Sequence, residues 1–341
     1  MLKNLAASVA VIAGFGLSYA EARDQIKVTG SSTVLPYSVI AAELFGENSS
    51  FSSPVVEGGG TGAGLKTFCE GVGENTPDIA NASRKIKSSE VKDCKANGVT
   101  EIIQVQIGYD GIVFASDING PEYAFTPSNW FNALAAEVVV NGKVVPNPYQ
   151  KWSDIDSSLP DTEILAFVPG TKHGTREVFD VKVIEKGCKM FASDKAFKSH
   201  YASDADKAKG ACLSLRTDGR VVEIDGDYTE TLARLDANKN GVGVFGMSFY
   251  ENNTDKLRVG KFQGVAPTAE LIASGKYSVS RPLFMYVKAQ HIGVIPGLKE
   301  FVEFFVSDEV AGPGGPLEAY GLVPDPKLSG TQAAVAAGKT M

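Results

Sequence analysis

Apolar positions along this chain switch period repeatedly, from every second residue to every third or fourth. Each switch falls on small or hydroxyl residues. Ile26-Lys27-Val28-Thr29 is a short β-branched strand, and Val34, Leu35, Val39, Ile40, Leu44 and Phe45 follow near the spacing of one buried helix face. Between them lies Gly30-Ser31-Ser32-Thr33, with hydroxyls where a helix N-cap belongs, and Pro36 falls in the first turn, where its missing N–H does no harm. The order then recurs. Val55-Val56-Glu57 runs through Gly58-Gly59-Gly60-Thr61-Gly62-Ala63-Gly64 into a helix from Leu65. Asp78 to Ala82 runs through Ser83-Arg84 into a helix by Val91, with Ser88 or Ser89 as its cap. Strand positions cover Glu101 to Gln106 and then Gly108 to Phe114.

Pro121, Pro127, Pro146 and Pro148 break the middle of the chain into loops around a helix at 128–137, and Trp152 reads as a packing residue. Ile164 to Val168 is a buried strand, ended by Pro169-Gly170-Thr171-Lys172-His173-Gly174-Thr175-Arg176 ahead of a helix over 177–184. This is a fourth strand–turn–helix unit. Residues 192–212 read as solvated helical surface, 229–238 as an amphipathic helix, 240–246 and 280–287 as strands, and 298–306 as a late helix. The alanine-rich tail from Ser329 is expected to fray. Strands and helices alternating at these lengths predict an α/β architecture of doubly wound sheets, with ligands at the strand C-termini.

Length and composition add an address. The chain of 341 residues is long enough for two domains, and 43% hydrophobic with 21% charged residues is the balance of a folded globular protein. A net charge of −7 argues against nucleic acid or an acidic membrane surface as partner, though not against a small anion held by local positive potential. Residues 1–22 read as an export signal: Lys3, an apolar run from Leu5 to Leu17 too short to span a bilayer, and small-x-small sites at Ser18-Tyr19-Ala20 and Ala20-Glu21-Ala22. The mature chain is expected to be soluble in the periplasm. Four cysteines in such a compartment point to disulfides. Three pairings are open, and Cys69–Cys94 with Cys188–Cys212 is favoured because each closes one local loop. His173, His200 and His291 are scattered and no Cys-x-x-Cys occurs, so neither a metal nor another cofactor is expected.

The turns carry the chemistry. Free N–H groups at a helix start, with about half a positive charge from the helix dipole, suit an anion, and small residues let it approach closely. Ser32/Thr33, Thr61/Gly62, Ser83/Arg84 and Gly174/Thr175/Arg176 repeat that arrangement, three in the first half of the chain and one in the second. Two lobes closing on one oxyanion is the implied device. Arg281 reads as a hinge residue or an inter-lobe ion pair. Asp110, in Tyr109-Asp110-Gly111 just past a buried strand, is the candidate acceptor for a proton carried by the anion, with Asp225 and Asp227 as further candidates. An exported phosphate-ester hydrolase would need a nucleophile held by a base or a metal cluster, and no Gly-x-Ser-x-Gly elbow is present. The chain is therefore read as a binding protein and not an enzyme.

Gly30-Ser31-Ser32-Thr33-Val34-Leu35-Pro36, the Gly58–Gly64 loop, Ser83-Arg84, Tyr109-Asp110-Gly111-Ile112, Gly174-Thr175-Arg176 and Ser280-Arg281-Pro282-Leu283 occur in the order found in the periplasmic phosphate-binding proteins of ABC transporters, which this sequence resembles. The resemblance covers nearly the whole mature chain. It implies a two-lobed Venus-flytrap fold of the type II periplasmic binding proteins, with two crossing strands near Ile112–Ser116 and Arg281–Val287. Residues 23–114 plus 282–341 would form a discontinuous first lobe and 115–281 the second. It also implies a monomer that binds inorganic phosphate and serves a membrane-embedded ABC permease. The ligand positions it implies are Ser32, Thr33, the Val34 backbone, Thr61, Ser83, Arg84, Gly174, Thr175 and Arg176. Two departures stand out. The best-known members have aspartate where this chain has Arg84, and arginine where it has Pro169; His173 stands at a position usually held by serine. Sulfate, molybdate or an organic phosphonate are the alternative ligands on the same fold, and a role in signalling or adhesion is the alternative use.

Overall fold

The computed structural model describes residues 23–171, 174–225 and 228–341. The expected export signal at 1–22 and the possible ligand His173 lie outside these residues, as does Asp227.

In chain order the elements begin with β1 (Lys27–Gly30), α1 (Leu35–Asn48), β2 (Val55–Val56), α2 (Thr61–Phe68), β3 (Ile79–Ala82), α3 (Ser88–Ala96) and β4 (Ile102–Asp117). The middle of the chain gives β5 (Ala124–Phe125), α4 (Pro127–Leu134), β6 (Glu137–Val140), β7 (Lys143–Pro146), α5 (Trp152–Ile155) and β8 (Ala166–Pro169). There follow α6 (Gly174–Phe179), a π-helical turn at Asp180–Ile184, α7 (Glu185–Met190), α8 (Ser193–His200), α9 (Ala205–Gly210), β9 (Val221–Ile224), α10 (Tyr228–Ala237) and β10 (Val242–Gly246). Next come α11 (Met247–Glu251), β11 (Leu257–Val259), β12 (Lys261–Phe262), α12 (Ala269–Ala273) and β13 (Ser280–Lys288), with four more helices to the C-terminus.

One strand joins everything. The expected strands at 101–106 and 108–114 are a single β4, whose first part pairs with β13 over Ile102–Gly111 and whose last part pairs with β10 and β11. The main sheet therefore runs β2-β1-β3-β13-β4-β10-β8-β9, parallel within β2-β1-β3 and within β10-β8-β9, and antiparallel around β4 and β13. The apolar cores divide along it. Two apolar clusters drawn from residues 26–107 and 283–335 lie in one half, one around Phe45 and Phe301 and one around Phe68 and Tyr286, while residues from Ile112 to Val279, joined by Val323, pack in the other around Phe114, Phe125, Trp130, Trp152 and Phe262. The chain thus changes lobes at Asp110–Ile112 and Val279–Arg281, a few residues ahead of the expected crossings. Gly111 marks the place: a Cβ there would stand 2.4 Å from the Ile272 side chain, which packs across the changeover. Both disulfides are local, Cys69–Cys94 in the first half and Cys188–Cys212 in the second.

Four local expectations are corrected. Helix α1 buries Val34, Tyr37, Ala41, Ala42 and Phe45, while Leu35, Val39, Ile40 and Leu44 are half-buried, so the helix is rotated toward its small residues. The helix at 128–137 stops at Leu134, because Asn147 Nδ2 takes the carbonyls of Asn132 and Ala135, both at 2.7 Å. Glu137 then starts the β6–β7 hairpin, turned by Asn141 (φ 50°) and Gly142 (φ 76°). Ser88 is the first residue of α3 and not its cap; Glu90 accepts the Lys87 N–H at 2.8 Å instead. The tail forms a helix at Leu328–Ala336 that buries Leu328 and Val335, and the Met341 N–H donates to the Ile102 carbonyl at 2.9 Å.

Candidate functional site

Three of the four anion-type turns meet at the C-terminal ends of β1 and β3. Gly30 takes a left-handed φ of 124°, and a Cβ on it would lie 2.3 Å from the Asn81 carbonyl oxygen. A Cβ on Gly64 would lie 2.3 Å from Gly30 Cα, so α2 rests directly on the end of β1. Backbone bonds tie the turns: Ser31 N–H to Asn81 O at 2.9 Å and Gly60 N–H to Gly30 O at 2.8 Å.

Within the first turn the capping role belongs to Ser31 and not to Ser32 or Thr33. Ser31 is buried; its Oγ accepts the Thr33 N–H at 3.2 Å, and its carbonyl accepts from Val34 at 3.2 Å and Leu35 at 3.0 Å. Ser32 is exposed and Thr33 is buried. In the second and third turns Thr61 and Ser83 are both buried, with their hydroxyls 3.1 Å apart and the Ser83 N–H donating to Thr61 Oγ1 at 3.1 Å. Arg84 forms a two-pronged pair with Glu90, at 2.9 and 2.8 Å, and that bond holds the Glu90 carboxyl below its usual range.

The fourth turn belongs to the other lobe. The Thr175 hydroxyl, buried, lies 2.5 Å from the Tyr228 hydroxyl. Arg176 turns inward: Nε donates to Asp180 Oδ1 at 2.7 Å and Nη1 to the Pro169 carbonyl at 3.1 Å and to Glu223. It pins α6 to β8 and β9. Gly174, Thr175 and Arg176 are thus at the start of one helix, but the arginine's fork points into the lobe.

Between the lobes lies a cavity of about 30 Å³ lined by Thr33, Tyr37, Asp110, Thr175, Tyr228 and Tyr320, among others. Asp110 is the buried carboxylate of this cavity. Its Oδ2 has no hydrogen-bond partner among the described residues, and neither has the Nε of Arg281, 3.8 Å away. Burial pushes the Asp110 carboxyl above its ordinary value, against the opposing pull of Arg281. Burial likewise pushes the Tyr37 and Tyr228 hydroxyls up, so both stay protonated donors. Arg281 Nη2 donates to Thr33 Oγ1 and stands 3.5 Å from Glu177 Oε2, the inter-lobe ion pair that its place at the crossing predicts. The arrangement offers hydroxyl donors from both lobes, one guanidinium, the buried Asp110 carboxylate as acceptor and the exposed Glu177 carboxylate at the rim, a set suited to an oxyanion that carries a proton.

Of the residues that the sequence singles out, Thr33, Asp110 and Thr175 line this cavity with Arg281 beside it, whereas Thr61 and Ser83 bond each other outside its lining. Sequence reasoning missed Tyr37, Tyr228, Tyr320 and Glu177. Tyr37 and Glu177 each follow a turn motif directly, which is a usable signal; Tyr228 and Tyr320 lie in segments with no local mark of the site.

The comparisons agree with this architecture. The family model described as a PBP superfamily domain matches residues 18–309. Protein SphX of Synechococcus elongatus is 28% identical over 331 residues, 94% of this chain and 86% of that protein. The phosphate-binding protein PstS of Staphylococcus haemolyticus is 27% identical over 310 residues, 89% of this chain and 82% of that protein. Among solved structures, a possible phosphate binding protein from Planctomyces limnophilus superposes with a TM-score of 0.66 at 24% identity, over 93% of this chain and 99% of that one. An ABC-type phosphate transport receptor from Vibrio cholerae gives 0.53 at 17% identity, over 84% and 95%. These likenesses match the two-lobed fold, and the family model spans most of the sequence. This chain belongs to the PBP superfamily.

Proposed function

We propose that the protein binds inorganic phosphate between its lobes, outside the cytoplasm after loss of residues 1–22, and delivers it to the membrane permease of an ABC transporter. The observation that carries this reading is the buried, unbonded Asp110 Oδ2 facing Arg281 in a cavity that hydroxyls from both lobes line. Relatives named phosphate-binding protein PstS, matched over most of their length, support it. No chemical step is required of such a protein. The two bodies whose approach encloses the ion part where the apolar cores change over, at Asp110–Ile112 on β4 and Val279–Arg281 at the start of β13, so Ile112, Val113 and Phe114 go with the second body and not, as in the expected 23–114, with the first.

The binding set on this reading is Thr33, Thr61, Ser83, Thr175 with Gly174, and Asp110, with Arg281 in place of Arg84 and Arg176 as the principal cation; the Val34 N–H, which the Ser31 carbonyl takes, drops out. At neutral pH phosphate carries one or two protons and sulfate none. Hydroxyls and guanidinium serve both, whereas a fixed carboxylate accepts a hydrogen bond from a protonated phosphate oxygen and repels sulfate. A charge-assisted bond of this kind is worth about 1.5–3 kcal/mol. On this reading phosphate is preferred over sulfate and molybdate.

The test is a thermal-shift and calorimetric comparison of phosphate, sulfate and molybdate on stripped protein. Phosphate at a hundred times its dissociation constant should add about 2.7 kcal/mol of stability. Stronger stabilisation by sulfate, or none by any of the three, defeats the proposal.

A further inference from the structure

The helical turn that sends Arg176 into its lobe sends the next residue the other way. Glu177 Oε2 accepts a hydrogen bond from Thr33 Oγ1 at 3.3 Å and lies 3.5 Å from Arg281 Nη2. Thr33 belongs to the first turn of one lobe, Glu177 to α6 of the other, and Arg281 to the crossing strand. One carboxylate oxygen therefore spans the cleft, seated on the two groups that a bound oxyanion would meet. Carboxylate and phosphate oxygens seek the same surroundings of hydroxyl and guanidinium donors. The single guanidinium of Arg281 also faces Asp110, so it already answers two negative groups before any ion arrives. The other arginines of the turns are engaged elsewhere, Arg84 with its fork on Glu90 and Arg176 on Asp180 and Glu223.

We infer that Glu177 is a tethered carboxylate that takes the anion's place between Thr33 and Arg281 in the unliganded protein, straps the lobes together and weakens binding of every tetrahedral oxyanion alike. This rests on reading the cleft as the anion site. Asp110 and Glu177 then differ in kind. Asp110 is fixed on β4 and 4% exposed, with no route out. The Glu177 side chain is 44% exposed and has solvent to turn into when an ion displaces it. Apparent affinity scales with the fraction of protein that is competent to bind, so a strap formed ten times in eleven weakens binding about tenfold.

Glu177→Gln keeps the side chain's size and removes its charge, and Glu177→Ala removes the strap altogether. Stripped wild type and both variants are titrated with phosphate and with sulfate, and each is also measured unliganded by small-angle scattering. The strap predicts that both variants bind both anions more tightly, by about the same factor of ten, and that their unliganded radius of gyration exceeds that of wild type. Unchanged or weaker binding of both anions overturns the inference. So does a loss confined to phosphate, which would make Glu177 a proton acceptor for the ligand. If wild type binds neither anion, the proposed function fails separately, and scattering still decides: equal unliganded radii would leave no strap.

Discussion

Asp110 and Arg281 are direct cross-strand partners on β4 and β13, at the point where both strands leave one lobe for the other. Their nearest charged atoms, Oδ2 and Nε, are 3.8 Å apart, and neither has a hydrogen-bond partner among the described residues. A buried polar atom without a partner costs about 1–3 kcal/mol. Two such atoms sit together where β4 and β13 cross between the cores.

The first prediction concerns selectivity. Asp110→Asn removes the acceptor for a phosphate proton and the repulsion toward sulfate. Phosphate affinity should fall, sulfate affinity should rise, and their ratio should narrow about tenfold or more, equivalent to about 1.4 kcal/mol. Calorimetry on the stripped variant checks this; an unchanged ratio removes Asp110 from discrimination.

The same carboxylate gives a pH dependence. Burial raises the Asp110 pKa in the native state above the usual 3.8. Between 3.8 and the raised value the native state holds a proton that the unfolded state has released, so this group's contribution to stability falls as pH rises through that window. The melting temperature of unliganded Asp110→Asn, relative to wild type, should therefore climb as pH rises from 4. Parallel melting curves across pH would contradict the assignment.

The arginines should separate by what they hold. Arg281 is the cation of the cleft, and Arg281→Ala should weaken phosphate binding by roughly 2–5 kcal/mol. Arg176 is a buried staple among Asp180, Glu223 and the Pro169 carbonyl, so Arg176→Ala should lower unfolding free energy by about 3 kcal/mol. Arg84→Ala should cost the least in affinity of the three. Paired urea melts and titrations test the ranking, and a larger affinity loss at Arg84 than at Arg281 would reverse the site's assignment.

Gly64→Ala tests the convergence of the turns. Its Cβ would meet Gly30 Cα at 2.3 Å, backbone against backbone with no side chain able to yield. Helix α2 should be pushed off β1 at a cost of about 1–3 kcal/mol, carrying Thr61 out of place. Phosphate affinity should fall together with stability. Full affinity in a destabilised variant would show that Thr61 does not touch the ion.

A last prediction lies far from the cleft. Asp78, fully buried, accepts from Arg23 at 2.6 Å, from the Lys27 N–H at 2.7 Å and bonds His291 Nδ1 at 2.5 Å. Lys288 is buried nearby, donating to the Gly71 carbonyl at 2.6 Å and Thr76 at 2.8 Å, and burial pushes its ammonium down to about 8. Asp78→Asn would leave buried positive charge uncompensated and should cost about 3–5 kcal/mol. The denaturant midpoint is the readout, with phosphate affinity of the folded fraction unchanged.

The sequence by itself determined the parts whose cause is local. Strand, small-residue turn and helix follow from periodicity and from glycine and hydroxyl chemistry within a dozen residues, so the four turns, the α/β class and the short-loop disulfides were legible. The Asn141-Gly142 turn of the hairpin beside Val138-Val139-Val140 is equally local. Tertiary structure decided what each side chain meets. Arg84 and Arg176 stand in the motifs, yet their forks close on Glu90, Asp180 and Glu223, and only lobe packing puts the last of these, 47 positions on, within reach. Thr33 and Glu177 touch across 144 positions, and Arg281 reaches Thr33 across 248. Such pairs depend on the register of β13 against β4 and on the docking of two lobes. Neither is written in any local period, because each is set by the summed packing of two cores that the chain leaves and re-enters.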